Sequence, residues 1–115
     1  MVIFIDYDFI NWNEYIRIER GNKYHANAIK QQEKAYIGYM VKERYTGNYP
    51  VTLTVRPHFQ SKRKDLDNFR LKGLIDGLVA ARVIKNDNLT CIDKIIIEAV
   101  YSDDMGVEIE INESE

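Results

Sequence analysis

The chain has 115 residues, 45% apolar and 30% charged, with six Gly and two Pro, which favours one globular domain over residues 1–115 and excludes a disordered or low-complexity chain. No apolar run approaches the roughly 18–20 residues that span a bilayer, the first ten residues lack the pattern of a signal peptide, and the single cysteine excludes an internal disulfide framework and a cysteine-based zinc cluster. The net charge of −2 argues, taken alone, against a nucleic-acid partner.

The first half of the chain predicts two strands on either side of a long helix. Residues 2–7 are β-branched and aromatic and predict a strand, whereas residues 9–23 are polar and aromatic, contain a Gly-Asn break, and predict a loop or a short helix. Residues 51–59 alternate and predict the second strand. Between them, residues 24–45 have helical spacing, with one face formed mostly by Ala28, Tyr36, Ile37, Met40, Val41 and Tyr45.

The second half predicts one more helix and two strands. Residues 67–81 predict a helix, residues 91–101 a third strand, and residues 107–112 a fourth strand that returns after a hairpin turn at 102–106. The helix has a buried stripe formed by Leu71, Leu74, Ile75, Leu78 and Ala81. The order β-α-β-α-β-β predicts an α/β (α+β) fold, a small mixed sheet with two main helices packed on it.

Charge is distributed unevenly along the chain. Residues 56–72 contain six Lys or Arg and two Asp, whereas residues 98–115 contain seven acids and no Lys or Arg. Such asymmetry indicates a local electropositive face rather than a uniformly basic protein. The alternative is a solvated basic loop beside a solvated acidic hairpin.

Two carboxylates follow the basic run Lys62-Arg63-Lys64. Asp65 and Asp67 are one residue apart at the start of the predicted helix. A structural explanation is that Asp67 caps the helix and Asp65 pairs with a neighbouring lysine. The functional explanation is a Mg²⁺ site, because hard cations prefer oxygen ligands and share them with substrate phosphates, which the basic run would attract.

Four further polar residues extend this pattern. Asn68, Lys72 and Asp76 recur every four residues and therefore lie along one side of the helix. Lys72 and Asp76 form either an ordinary surface pair or part of a phosphate site. Asp87, in the turn "IKNDN", is either a turn former or the third carboxylate of the site.

The run "RKDLDNFRLKGLIDGLVAARVIKNDN" resembles the RusA family of Holliday junction resolvases, which are associated with phages and prophages. Asp65, Asp67 and Asn68 match the family's D-x-D-N, the helix signature matches at Asp76, and Asp87 matches the late carboxylate. Lys72 matches the family lysine when counted from Asp76, but falls about one residue late when counted from Asp67. The segment "NEYIRIERGNKYHANAIKQQE" also resembles the opening of the family.

The resemblance implies a homodimeric endonuclease that depends on Mg²⁺, with Mn²⁺ as an alternative ion, and cuts two opposed strands of a four-way DNA junction. It implies catalytic roles for Asp65, Asp67, Lys72 and Asp87, with the three aspartates as metal ligands. Lys72 would stabilise charge in the transition state. The residues expected to bind DNA are Arg56, Lys62, Arg63, Lys64 and Asn68, with Arg17, Arg20 and Lys23 as weaker candidates. Trp12 or Tyr15 could stack on an unpaired base.

Two other functions remain open at this point: a junction-binding protein without catalysis, and a Mg²⁺ nuclease that acts on flaps or forks. Cations directed at phosphates recognise the DNA backbone and not its branching, so they do not separate these functions. We expect branched DNA as the partner, no membrane association, and the cytoplasm of a bacterial or phage-infected cell as the location.

Overall fold

The computed structural model describes residues 1–115 and contains three α-helices and a five-stranded mixed sheet, which confirms the predicted α+β class. Residues 12–21 are helical, so the segment predicted as a loop or short helix is a helix. No helix combines the length and apolar character needed to cross a bilayer. In chain order the elements are β1 (Val2–Ile5), α1 (Trp12–Gly21), α2 (Lys23–Met40), β2 (Val51–Phe59), a 3₁₀ turn (Leu66–Asn68), α3 (Leu71–Ala80), β3 (Ile92–Ile97), β4 (Val100–Tyr101) and β5 (Gly106–Glu113).

Strand β2 lies inside the sheet, whose order is β1-β5-β2-β3. The short strand β4 also pairs with β2, beyond the end of β3. β3 and β4 run parallel to β2, whereas β5 runs antiparallel to both β2 and β1. The predicted hairpin at 102–106 is therefore wrong. The turn instead passes the end of β2, where the Ser102 amide donates to the Phe59 carbonyl at 2.9 Å.

The buried side of β5 explains this placement. Val107, Ile109 and Ile111 are almost completely buried. As the partner of β3 in a hairpin, β5 would lie at the margin of the sheet. Between β1 and β2, both of its edges are paired and its apolar side chains lie over the core.

The core lies between the sheet and helices α2 and α3. In α2 the buried residues are Ala26, Glu33 and Ile37. Ala28 and Met40, which belong to the predicted face, are exposed, because the buried side of the helix starts at Ala26 and the helix ends at Met40. In α3 the predicted Leu74, Ile75 and Leu78 are buried. Because Gly77 has no side chain, the Ile37 side chain of α2 fits against α3 at this position; a Cβ at residue 77 would overlap it.

Asparagine side chains determine where α1 and α2 begin. Asn11 Oδ1 accepts a hydrogen bond from the Glu14 amide at 2.8 Å and caps α1. Asn22 ends α1 and caps α2, since its side chain accepts from the amides of Tyr24 and His25. The predicted Gly-Asn break is therefore the junction between two helices.

Candidate active site and nucleic-acid surface

The stretch between β2 and α3 carries the predicted site. Lys62, Arg63 and Lys64 are exposed in the loop that leaves β2. The chain then forms the 3₁₀ turn, in which the amide of Asn68 donates to the carbonyl of Asp65 at 3.1 Å. The helix that follows begins at Leu71 and not at residue 67, because this turn precedes it.

Neither aspartate of the turn has a structural partner. Asp65 stands at the N-cap of the 3₁₀ turn without a capping bond from its side chain, and Asp67 lies within the turn. Both side chains are exposed, and no lysine or arginine forms an ion pair with them. Helix α3 is preceded instead by Arg70, whose side chain also makes no capping bond. The two carboxylates are therefore free to accept a ligand.

Asp65 opens onto a cleft of about 290 Å³ between the turn and the segment that follows β1. Asp8 and Glu14 also line this cleft, together with Lys64 and Asn68. Glu14 forms an ion pair with Arg17, which raises the pKa of that guanidinium. The sequence pattern did not indicate Asp8 or Glu14, because they lie more than 50 positions from Asp65 and belong to no motif with it.

Lys72, Asp76 and Asp87 line a second cleft, of about 350 Å³, with Trp12 at its side. Lys72 Nζ lies 3.2 Å from Asp76 Oδ2, so the predicted surface pair is present. The Lys72 side chain is 65% exposed and remains accessible. In the turn that carries Asp87, the side chains of Asn86 and Asn88 accept the local hydrogen bonds, which leaves the Asp87 carboxylate unpaired.

The structure thus brings Lys72 and Asp87 to one cleft and Asp65 to another. No group of three or more Asp, Glu, His or Cys side chains is close enough together to hold a metal ion. Two carboxylates are sufficient for Mg²⁺, because this ion is usually held by one or two of them and completes its shell with waters and substrate phosphates. Asp65 and Asp67 are two exposed carboxylates one residue apart.

Arg56, which was predicted to bind DNA, forms ion pairs with three glutamates of the protein. Its Nε lies 3.0 Å from Glu98, and Nη1 lies 2.9 Å from Glu108 and 3.0 Å from Glu110. Hydrogen bonds to Glu110, Glu98 and Glu108 raise the pKa of the guanidinium. This arrangement leaves Arg56 little capacity to bind phosphate, and it gives part of the acidic C-terminal region a structural role on the sheet.

The weaker DNA-binding candidates lie around the junction of α1 and α2. Arg20 and Lys23 are exposed and form no ion pair, whereas Arg17 is paired with Glu14. Tyr15 is only 3% exposed and lies under Arg70, 4.5 Å from its guanidinium carbon, so it cannot stack on a base. Trp12 is partly exposed beside Lys72.

The Tyr15 hydroxyl is buried and makes no hydrogen bond. Tyr15 is one of the residues around a small cavity of about 170 Å³ that Lys30, Lys72 and Asp76 also line. The hydroxyl lies close enough to Lys30 to raise the pKa of the ammonium, although the two groups are not aligned as a hydrogen bond.

Comparison with known proteins agrees with this description. The family model described as "Endodeoxyribonuclease RusA" matches residues 10–112, which include the basic loop, the second cleft and all of the first cleft except Asp8 and Phe9. No curated protein matches the chain. Because the match leaves out only the first nine and the last three residues, it confirms the predicted resemblance and the nuclease class. The chain belongs to the RusA endodeoxyribonuclease family.

Proposed function

We propose that this chain is a Mg²⁺-dependent endonuclease that resolves four-way DNA junctions by paired, symmetric cuts as a homodimer. The observation that carries the proposal is the pair of free, exposed carboxylates, Asp65 and Asp67, directly after an exposed run of three cations in a chain of this family. A pair of acids with no structural partner beside cations is an arrangement suited to a metal and a phosphate together.

Asp65 and Asp67 would hold the ion, which when bound activates water and stabilises charge on the leaving oxygen. Asp87 is the proposed third carboxylate, and it lines the second cleft together with Lys72. Mn²⁺ would serve as an alternative ion, because it shares the preference for oxygen ligands. The aspartates also repel DNA when no ion is present, so binding and cutting can be separated by experiment.

The cations divide into two roles. Lys62, Arg63 and Lys64 would bind phosphates on either side of the cut without reading sequence, and Asn68, Arg20 and Lys23 are weaker members of this surface. Lys72 would exchange its exposed contact with Asp76 for the phosphate that is cut, where its charge stabilises the transition state. An exposed ion pair is worth only about 0–1 kcal/mol, so this exchange costs little.

The homodimer follows from the reaction. Resolving a junction requires one cut in each of two opposed strands, and a two-fold axis supplies two identical sites. Each chain carries one D-x-D-N motif, so two chains are needed for two simultaneous cuts.

Strand-cleavage mapping on labelled four-way junction, flap, fork and plain duplex DNA tests the proposal. We expect symmetric nicks near the crossover with Mg²⁺ and none with EDTA. Cleavage of flaps or forks alone would identify the alternative, a nuclease for other branched DNA. Tight junction binding without cleavage in Mg²⁺ or Mn²⁺ would identify a non-catalytic binding protein.

A further inference from the structure

Arg70 and Glu33 form an ion pair that is almost completely removed from solvent. Arg70 is 2% exposed and Glu33 is 1% exposed. Arg70 Nη1 donates to Glu33 Oε2 at 2.8 Å, and Nη2 donates to Oε1, so the contact is bidentate. Nη1 also donates to the carbonyl of Ile10 at 3.2 Å, and the Tyr15 ring covers the guanidinium.

Stability does not explain such a pair. The cost of removing two charges from water often exceeds their attraction, and apolar side chains of similar volume frequently stabilise a protein as well or better. A bidentate guanidinium contact instead fixes distance and orientation, because the planar donor fork matches the carboxylate in one geometry. The pair is therefore better suited to holding the parts of the chain that it joins.

Those parts surround the proposed active site. Arg70 lies between Asn68, the end of the 3₁₀ turn, and Lys72 in the first turn of α3. Glu33 lies on α2, and Ile10 precedes α1. A second contact, from the Asn13 amide to Asn68 Oδ1 at 3.1 Å, joins the same turn to α1. The backbone around the turn is thus held at two points, while the carboxylates of Asp65 and Asp67 stay free.

We propose that the Glu33–Arg70 pair is a positioning device that holds the Asp65–Asn68 turn and Lys72 in a fixed relation, so that metal ligands and the catalytic lysine meet the same phosphate. This inference rests on the proposed function. Neither residue touches DNA or metal in this role; both act through the backbone of the turn and of α3.

Gly73 provides independent support. A Cβ at this position would lie 2.5 Å from Arg70 Nη2 and 3.1 Å from Glu33 Oε1. Since both atoms belong to the buried ion pair, neither can move aside without breaking a charged contact. The surface of α3 therefore has a gap where the guanidinium fits.

The test replaces the pair by apolar residues, Glu33→Leu with Arg70→Met. Because no buried charge is left without a partner, we expect a melting temperature close to that of wild type. We expect unchanged junction binding in EDTA. We expect a cleavage rate about 100-fold lower, the size of effect that a misplaced reacting group produces, and a higher Mg²⁺ concentration for half-maximal rate.

A folded double variant that cuts at the wild-type rate overturns the proposal. Failure of the proposed function looks different, because then wild type itself would not cut junctions with Mg²⁺. If the double variant does not fold, Gly73→Ala carries the test, since it displaces the pair without removing it.

Two glycines provide matched controls for Gly73→Ala. Gly77→Ala disturbs the packing of α2 against α3 through Ile37 without touching the ion pair, and Gly38→Ala adds a methyl group into open space. We expect Gly73→Ala to lose far more cleavage than Gly77→Ala at a similar loss of melting temperature. Equal losses from these two variants would show that the pair contributes only to stability and would also overturn the proposal.

Discussion

At the scale of single residues, Asp65 and Asp67 differ from most acids near a helix start, because neither caps the backbone nor pairs with a cation. Removing their charge therefore costs no native contact. Arg56, by contrast, is engaged by three carboxylates, and its charge is part of the sheet surface. Single substitutions can thus separate functional charges from structural ones.

The substitution Asp67→Asn tests the metal ligands. The variant should melt like wild type and bind a junction in EDTA at least as tightly, because one charge that repels phosphate is gone. With Mg²⁺ it should cut far more slowly, and Asp65→Asn and Asp87→Asn should behave alike. Thermal melting, binding in EDTA and single-turnover cleavage measure the three effects. Asp104→Asn, at the exposed turn that contacts Gln60, is the control for loss of one acidic charge near the basic loop; an Asp67→Asn protein that cuts as fast as this control would refute the metal site.

The substitution Lys72→Met tests the proposed catalytic lysine. Its pair with Asp76 is exposed, so the free energy of unfolding should fall by no more than about 1 kcal/mol. Cleavage should slow by about 10²–10³-fold, the loss typical of removing one donor that stabilises transition-state charge. Single-turnover rates at saturating protein measure this, with exposed Lys94→Met on β3 as the control. Equal rates for the two variants would remove Lys72 from the mechanism.

At the scale of structural elements, the basic loop after β2 and the Arg56 cluster on the sheet have opposite roles. The loop presents three exposed cations. The ammonium of Lys62 lies over the Tyr101 ring, 5.4 Å from its centroid. Because β2 and β5 are antiparallel with Arg56 opposite Glu108, the charge of Arg56 is neutralised within its cluster, where three carboxylates surround it. Of these two clusters, only the loop should therefore contribute to the salt dependence of DNA binding.

Binding titrations at several salt concentrations test this difference. If the dimer contacts 6–10 phosphates, junction affinity should fall about 10³–10⁵-fold between 50 and 200 mM salt. Replacing Lys62, Arg63 and Lys64 together by Ala should flatten the slope. Arg56→Ala should leave the slope unchanged and lower the melting temperature, because three carboxylates lose their cation. A loop variant with the wild-type slope would show that the loop does not face DNA.

At the scale of the whole molecule, the two clefts are lined by neighbouring parts of the chain, with Phe69 in the first and Leu71 in the second. One chain offers one such arrangement, whereas resolution of a junction needs two related by a two-fold axis. We expect light scattering to give the mass of a dimer at working concentration, alone or with junction DNA. A monomer under both conditions would contradict paired cleavage and favour the flap or fork nuclease.

Local patterns predicted much of the fold. Strand β2, the apolar side of β5 and the buried stripe of α3 were predictable because side-chain periodicity reflects which face is covered. The free carboxylates were predictable from the D-x-D-N motif. The boundary of α3 was not, because no residue pattern indicates that the backbone becomes extended at Phe69, between the 3₁₀ turn at 66–68 and α3.

The sequence by itself determined the element types, the position of the acidic pair beside the cations and the family to which the chain belongs. Only the tertiary structure decided that β5 inserts between β1 and β2, that Arg56 is held by acids 42 to 54 positions away, and that Arg70 is buried against Glu33, 37 positions earlier. The physical reason is that periodicity records whether a face is covered but not by what. Strand partners and ion-pair partners are chosen by proximity in space, which sequence spacing does not contain.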